Sequence, residues 1–353
     1  MKLNKLLVLT FSIGLFFTSC TNDDDNTPVL PRGDYENGLL ISHEGNFGMG
    51  NASVSFVSFD LNTAEHNIFN NVNSELLGDT AQSIAFNGDL AYIVLNVSNK
   101  IEIVNRYTFE SVTTINTGLN NPRFIAFLDG KGYVTNWGDG SNATDDYVAV
   151  IDLNTNTLEA STIAVEEGPE EVIVAGSSVY VAHQGGFSQN NKITVINGAT
   201  NTVSTTITVG DVPNSLQLDN SGNLWVLCGG KPSWTGDETG GQLFKVSTAD
   251  NTVTSIDFAE TEHPNFLSFD DGNLYYYLAG SIYEMGSTST TLPANAEITD
   301  LSFYNMTVND GVLYGVDAKD FTSEGALTSY DLSTNAEVNS VTVNIIPGGI
   351  YFN

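Results

Sequence analysis

A short apolar strand recurs seven times along this chain, each copy opening after a turn and usually just behind a proline. The copies are AQSIAF (81–86), PRFIAF (122–127), PEEVIV (169–174), PNSLQL (213–218), PNFLSF (264–269), FYNMTV (303–308) and PGGIYF (347–352), so their starts lie 41, 47, 44, 51, 39 and 44 residues apart. A strand-and-turn unit of this size cannot bury its own apolar face. Units stacked radially can, and a period of this length is the signature of β-propeller blades. The repeat overrides the two or three domains that 353 residues would otherwise suggest.

Each repeat reads as four strands. The proline-led strand is followed by a Gly-containing turn and a second strand, as in GKGYVTN (130–136), SSVYVAH (177–183) and GNLWVLC (222–228). The third and fourth form a hairpin around a recurrent turn, as in VIDLNTNTLEA (150–160) and SYDLSTNAEVNS (329–340). Apolar residues alternate with period two, and Asp, Asn, Thr and Gly occupy the turns, where their side chains bond local backbone. Blade six, ending SIYEMGSTSTTL (281–292), is the most degenerate copy. The chain ends on a first strand, IIPGGIYFN, whereas GLLISH (38–43) matches a second strand with none before it. The reading is an all-β, seven-bladed β-propeller over 37–353, its ring closed by one C-terminal strand plus three N-terminal strands. Closure protects sheet edges.

Residues 1–20, MKLNKLLVLTFSIGLFFTSC, read as a targeting segment: Lys2 and Lys5, an apolar stretch too short to span a bilayer comfortably, then Cys20. FTSC resembles a bacterial lipobox, with Phe17 at a position more usually Leu, and TNDDDNTP behind it resembles a surface-export signal. The expectation is lipidation at Cys20, a disordered acidic tether over 21–36, and a surface-exposed lipoprotein of the outer membrane that touches the bilayer only through its anchor. Losing Lys2 and Lys5 takes the 11 basic residues to 9 against 42 acidic ones, a change from −31 to −33. Such a charge repels phosphate backbones and argues against nucleic-acid partners. One cysteine, Cys228, remains after Cys20, so no intrachain disulfide staples the fold.

In a propeller, the loops leaving second strands and those entering first strands share one face. Five second-to-third loops are long: 43–53, 136–146, 183–192, 228–241 and 317–326; those of blades two and six are short. Insertions gathered on one rim mark a working face. Each long loop carries an aromatic (Phe47, Trp137, Phe187, Trp234, Phe321), and such rings offer flat apolar area at low ordering cost. A ring of them over a depression suits a broad planar or amphipathic ligand, such as a sugar or a macrocycle. The second strands end on His43, Leu95, Asn136, His183, Cys228, Leu278 and Asp317, so His43, Asn136, His183 and Asp317 are candidate groups at the channel mouth. An inner set follows the strand starts: Gln82, Arg123, Glu170, Asn214, Asn265 and Tyr304. Arg123 is a rare cation where the channel opens. Ion pairing, loop packing and local hydrogen bonds are the structural alternative for each of these. DGSNATDD offers Asp139, Asp145 and Asp146 to calcium but lacks the alternation and closing Glu of an EF-hand loop. No other cofactor is indicated. No HExxH, GxSxG, phosphate-binding glycine loop or paired CxxC is present.

YVTN (133–136), YVAH (180–183) and the VIDLNTNT hairpin resemble the YVTN-type, YncE-like seven-bladed propellers over about 37–353. The opening ISHEGNFGMGNASVSFVSFD resembles a subset of surface lipoprotein propellers of Gram-negative bacteria. That resemblance implies capture of a small molecule such as cobalamin, without turnover, and transfer to an outer-membrane transporter. No ligand-contact residue is carried over from it. Two other readings stand beside it: a metal-assisted hydrolase or lyase using His43, His183 and Asp317, and a protein-interaction scaffold of an outer-membrane complex.

Overall fold

The computed structural model describes residues 32–353; residues 1–31, with the signal segment, Cys20 and most of the expected tether, lie outside the described residues. Seven antiparallel sheets make seven blades. Their innermost strands, 347–352, 81–87, 122–128, 169–175, 213–218, 265–270 and 305–309, neighbour one another in sequence around a closed ring. In blade one the C-terminal strand Pro347–Phe352 pairs with Gly38–His43, which pairs with Ser53–Ser58 and then Ala64–Glu65. The sheet is the expected closure of one C-terminal and three N-terminal strands. Residues 32–36 belong to the folded body rather than to a tether. Tyr35 is buried against Phe56 and Phe109, and its N–H donates to the Tyr107 carbonyl at 3.0 Å.

The outer turns form as their sequence dictates. Asp60, Asp152, Asp250 and Asp331 each accept the backbone N–H two residues on, at 3.1, 2.9, 3.1 and 2.8 Å. These Asx turns reverse the chain without a glycine. Asn156, Asn201 and Asn251, in these turns or the equivalent one at Asn197, adopt a left-handed conformation and each receives a tyrosine hydroxyl from the preceding blade. Tyr92 Oη donates to Asn156 Oδ1 at 2.7 Å, and Tyr133 Oη to Asn201 Oδ1 at 2.9 Å. Tyr92 and Tyr133 are fully buried, so each bond satisfies a hydroxyl that would otherwise be stranded between blades.

Three blades depart from four regular strands. Blade three has a broken outer strand, Thr157–Leu158 and Ile163–Ala164. Blade one has a fourth strand of two residues, Ala64–Glu65, followed by a short helix, Ile68–Asn73, whose Ile68 and Phe69 are buried in the core. Blade six has three paired strands; residues 287–304 carry no Asx turn there, and Ile298 makes a single bridge to Ile282.

The entry to five of the seven innermost strands is a repeated device built on a residue of positive φ. Ile346, Thr80, Asn121, Gly168 and Val212, each just before that strand, have φ of 52, 57, 50, 66 and 57°. Each carbonyl accepts the N–H of the first residue past the second strand: Glu44 (2.9 Å), Asn96 (2.9 Å), Trp137 (3.2 Å), Gln184 (3.0 Å) and Gly229 (2.8 Å). The bond clamps the inter-blade connection to the long-loop face. For the β-branched Val212 and Ile346 the conformation costs on the order of 1–2 kcal/mol. Val212→Gly is therefore expected to stay within about 1 kcal/mol of wild type, strain relief offsetting lost chain stiffness. At Gly168 a Cβ would sit 2.1 Å from the Gly186 backbone N. Gly168→Val is expected to cost more than about 3 kcal/mol, read as a fall in thermal midpoint.

Candidate functional site

The long loops do share one face, and the inner set meets at its centre. Arg123 and Glu170, each one residue into an innermost strand, form a two-pronged ion pair with contacts of 2.6 and 2.9 Å. The Trp137 ring lies against the guanidinium, its centroid 4.2 Å from Arg123 Cζ. Across the mouth, Tyr304 Oη donates to Glu44 Oε1 at 2.9 Å. Asn214 Nδ2 donates to Asn265 Oδ1 at 2.9 Å and to the Pro264 carbonyl at 2.8 Å. The floor of the mouth is thus a satisfied polar layer with more carboxylate than cation.

Burial pushes the Glu44 carboxyl above its ordinary range, opposed by the Tyr304 hydrogen bond and the Arg123 charge. Below the mouth the channel holds a cavity of about 350 Å³, lined among others by Glu171, Gln217, Asn305 and Tyr351. Desolvation raises Glu171 to about 8, against the Leu216 N–H that its carboxylate accepts at 2.7 Å.

The aromatics of the long loops stand around this floor. Phe47, Phe187, Trp234 and Phe321 are 83, 80, 75 and 49 % exposed. Trp137 is half-buried and meets Phe187 edge to face at 6.0 Å, and Phe187 lies over Gly140, where a Cβ would come within 2.7 Å of its ring. Phe321 packs edge-on against Tyr304 at 5.5 Å. Asn46 Nδ2 donates to the Phe321 carbonyl at 3.1 Å, tying the loops of blades one and seven together. The rings therefore form two walls, over blades seven and one and over blades three to five.

Four of the sequence candidates serve other purposes. His43 and His183 are wholly buried inside their blades, where Nε2 meets Ser55 Oγ and Thr194 Oγ1, each at 2.9 Å. The alternation that ends a second strand at its rim turns both rings into the blade core, away from the channel. Asn136 is buried too, accepting the Asn120 N–H and donating to the Val134 carbonyl, so it pins an inter-blade connection. Asp317 caps its own turn through the Lys319 N–H at 2.7 Å. In the 137–146 loop, Asp139, Asp145 and Asp146 are engaged separately by Ser141, Asp139 and Gly168 backbone N–H groups. Among the described residues, no three His, Cys, Asp or Glu side chains gather to hold a metal ion. Cys228 is buried, and desolvation raises its thiol far above the reactive range. Glu44 was the residue missed. It lies one step beyond the strand end, where the next side chain points back toward the axis.

Burial lowers His43 from 6.5 to about 3 and His183 from 6.5 to about 4. Unfolding lets both rings take up protons below their ordinary pKa, so the stability they support is complete above pH 6.5 and drains as pH falls toward 4 and 3. Glu171, held neutral to about 8, acts oppositely, its contribution lost as pH rises from 4.5 to 8. At pH 5 each histidine accounts for about 2 kcal/mol of loss. His183→Gln is expected to flatten the fall in thermal midpoint between pH 7 and 5; an unchanged slope would contradict the assignment.

The fold and this mouth define a seven-bladed β-propeller with its decorated loops on one face. The family model described as "Domain of unknown function (DUF5074)" matches residues 37–316, and the chain belongs to that family. None of the curated proteins matches the sequence. Among solved structures it is similar to a quinonprotein alcohol dehydrogenase-like protein of Bacteroides thetaiotaomicron, with TM-score 0.65, 14% identity, and 90% of this chain against 78% of that one. A protein from Lactobacillus plantarum matches with TM-score 0.62 and 13% identity over 90% and 99% of the two chains. Kuenenia stuttgartiensis hydrazine synthase matches at TM-score 0.61 and 14% identity over 84% and 90%. Identities this low speak to the fold alone.

Proposed function

We propose that this propeller is a surface lipoprotein that captures a broad, amphipathic small molecule, a corrinoid by the resemblance of its opening segment, and releases it unchanged. One observation carries the reading. Aromatics from five blades, four of them well exposed, share a face with a polar floor of paired groups, which offers contact area and acceptor oxygens but, among the described residues, no metal-ligating cluster. The excess of carboxylate over cation at the floor favours ligands that are neutral or cationic and carry N–H donors.

The first described residues are fastened to the far side of the body. Arg32 pairs with Asp89 at 3.2 Å, in the turn between the first two strands of blade two, and Tyr35 binds the turn at Tyr107. Both turns are on the face opposite the long loops. A lipid on Cys20 would keep the chain at the outer membrane, where a transporter would collect the ligand. No helix among the described residues is long and apolar enough to cross a membrane. The hydrolase or lyase alternative loses support, because His43 and His183 lie inside the blades.

Calorimetric titration of the full chain with cyanocobalamin tests the proposal. Joint Trp137→Ala and Trp234→Ala replacement is expected to weaken binding tenfold or more, about 1 kcal/mol or so per ring. Absence of binding by the wild type, or equal affinity in the double variant, would sink it.

A further inference from the structure

The rim is not uniform. In blade six, Ala279 and Gly280 alone separate the second strand, ending at Leu278, from the third, beginning at Ser281. The loop of blade five beside it runs from 229 to 241. The wall therefore drops beside its longest loop. At that drop lies an open cleft of about 310 Å³, lined by Thr261, Glu262, His263, Leu278, Ser281 and Tyr283.

Hydrogen bonds tie the edge of the cleft to the floor of the mouth. Asn265 Nδ2 donates to the His263 carbonyl at 3.1 Å, and the same Asn265 accepts from Asn214 on the floor. Its shape is held by the tall loop: His263 Nδ1 lies 2.8 Å from the Gly229 carbonyl and Nε2 lies 3.2 Å from Glu238 Oε1. Leu278 and half-buried Tyr283 give it an apolar floor, and Tyr283 is backed by Tyr276, stacked at 5.3 Å and 7°. Glu262 stands at its edge, with Glu238 behind His263, and no Lys or Arg lines it.

We infer that the cleft over blade six is a second subsite, taking a flat ring that bears N–H donors or positive charge. The ring lies on Tyr283 and Leu278, and its donors face Glu262. In the capture reading, on which this extension rests, it receives a part of the ligand that overhangs the mouth, and the low turn of blade six is what lets that part pass. A planar face on Tyr283 gains stacking and cation–π attraction, and a donor at Glu262 makes a charge-assisted hydrogen bond. The surrounding negative field rejects anionic rings.

Tryptamine, a flat ring with an ammonium group, is the probe. Calorimetric titration into the full chain is expected to give a Kd on the order of 1 mM, the range its size allows. Tyr283→Ala and Glu262→Gln are each expected to weaken it about fivefold or more, with a wild-type circular dichroism spectrum verifying that the variants fold. Lengthening the Ala279–Gly280 turn by a Gly-Ser insertion is expected to abolish binding, while the same insertion within 96–99 of blade two leaves it intact. No binding of tryptamine, or equal affinity in all variants, overturns the subsite. A wild type that binds cyanocobalamin but not tryptamine loses the subsite alone. One that binds tryptamine but not cyanocobalamin loses the capture reading and keeps the subsite.

Discussion

The ring depends on the pairing of Pro347–Phe352 with Gly38–His43, which joins the two ends of a long chain into one sheet. Without it, blade one would lack its innermost strand, and blades two and seven would each lose a neighbour at the axis. Arg106 secures the seam from the adjacent blade: its guanidinium lies over Phe86, 3.7 Å from the ring centroid, and donates to the Phe352 carbonyl. Asn353 donates to the Arg106 carbonyl and its N–H to Gly38, so even the last residue is part of the closure. Such contacts between residues far apart in sequence cost loop entropy before they return any binding energy, and the closure is worth that cost only when all seven blades are in place.

The strained strand entries extend the same logic to the working face. A residue with positive φ turns the chain sharply inward, and its carbonyl holds the start of the next loop. The loops therefore leave from rigid points, although they are irregular themselves. The polar floor depends on this: Arg123 and Glu170 come from neighbouring blades and meet at 2.6 Å because two innermost strands are held at a constant spacing. An ion pair so little exposed is costly to desolvate and contributes little net stability. At the mouth it holds Trp137 against the guanidinium and fixes a carboxylate at the floor.

Much of the long-loop face was legible in the sequence. Loop length identified the face, the aromatics in those loops did end up on it, and the proline-led strands led to Arg123, Glu170, Asn214, Asn265 and Tyr304. The strand-end residues were misjudged for a physical reason. Alternation says that His43 and His183 share a face of their strand, but in a propeller both faces of a blade are buried against neighbours. On each ring Nε2 meets a hydroxyl of the adjoining strand, Ser55 or Thr194. Nothing local distinguishes such a histidine from one that lines a channel. Glu44 went unnoticed because its sequence neighbours read as an ordinary loop.

What the sequence alone determined is the period and the alternation, hence seven small sheets, their turn chemistry, the ring closure and the side on which the long loops emerge. These follow from covalent order and from side chains that bond their own backbone. Tertiary structure alone decided which polar groups from separate blades become partners, that His43 and His183 turn into the blades, and that a cleft opens beside the short turn of blade six. Those features are distances between residues remote in sequence. They are set by blade spacing and tilt, which no local preference encodes.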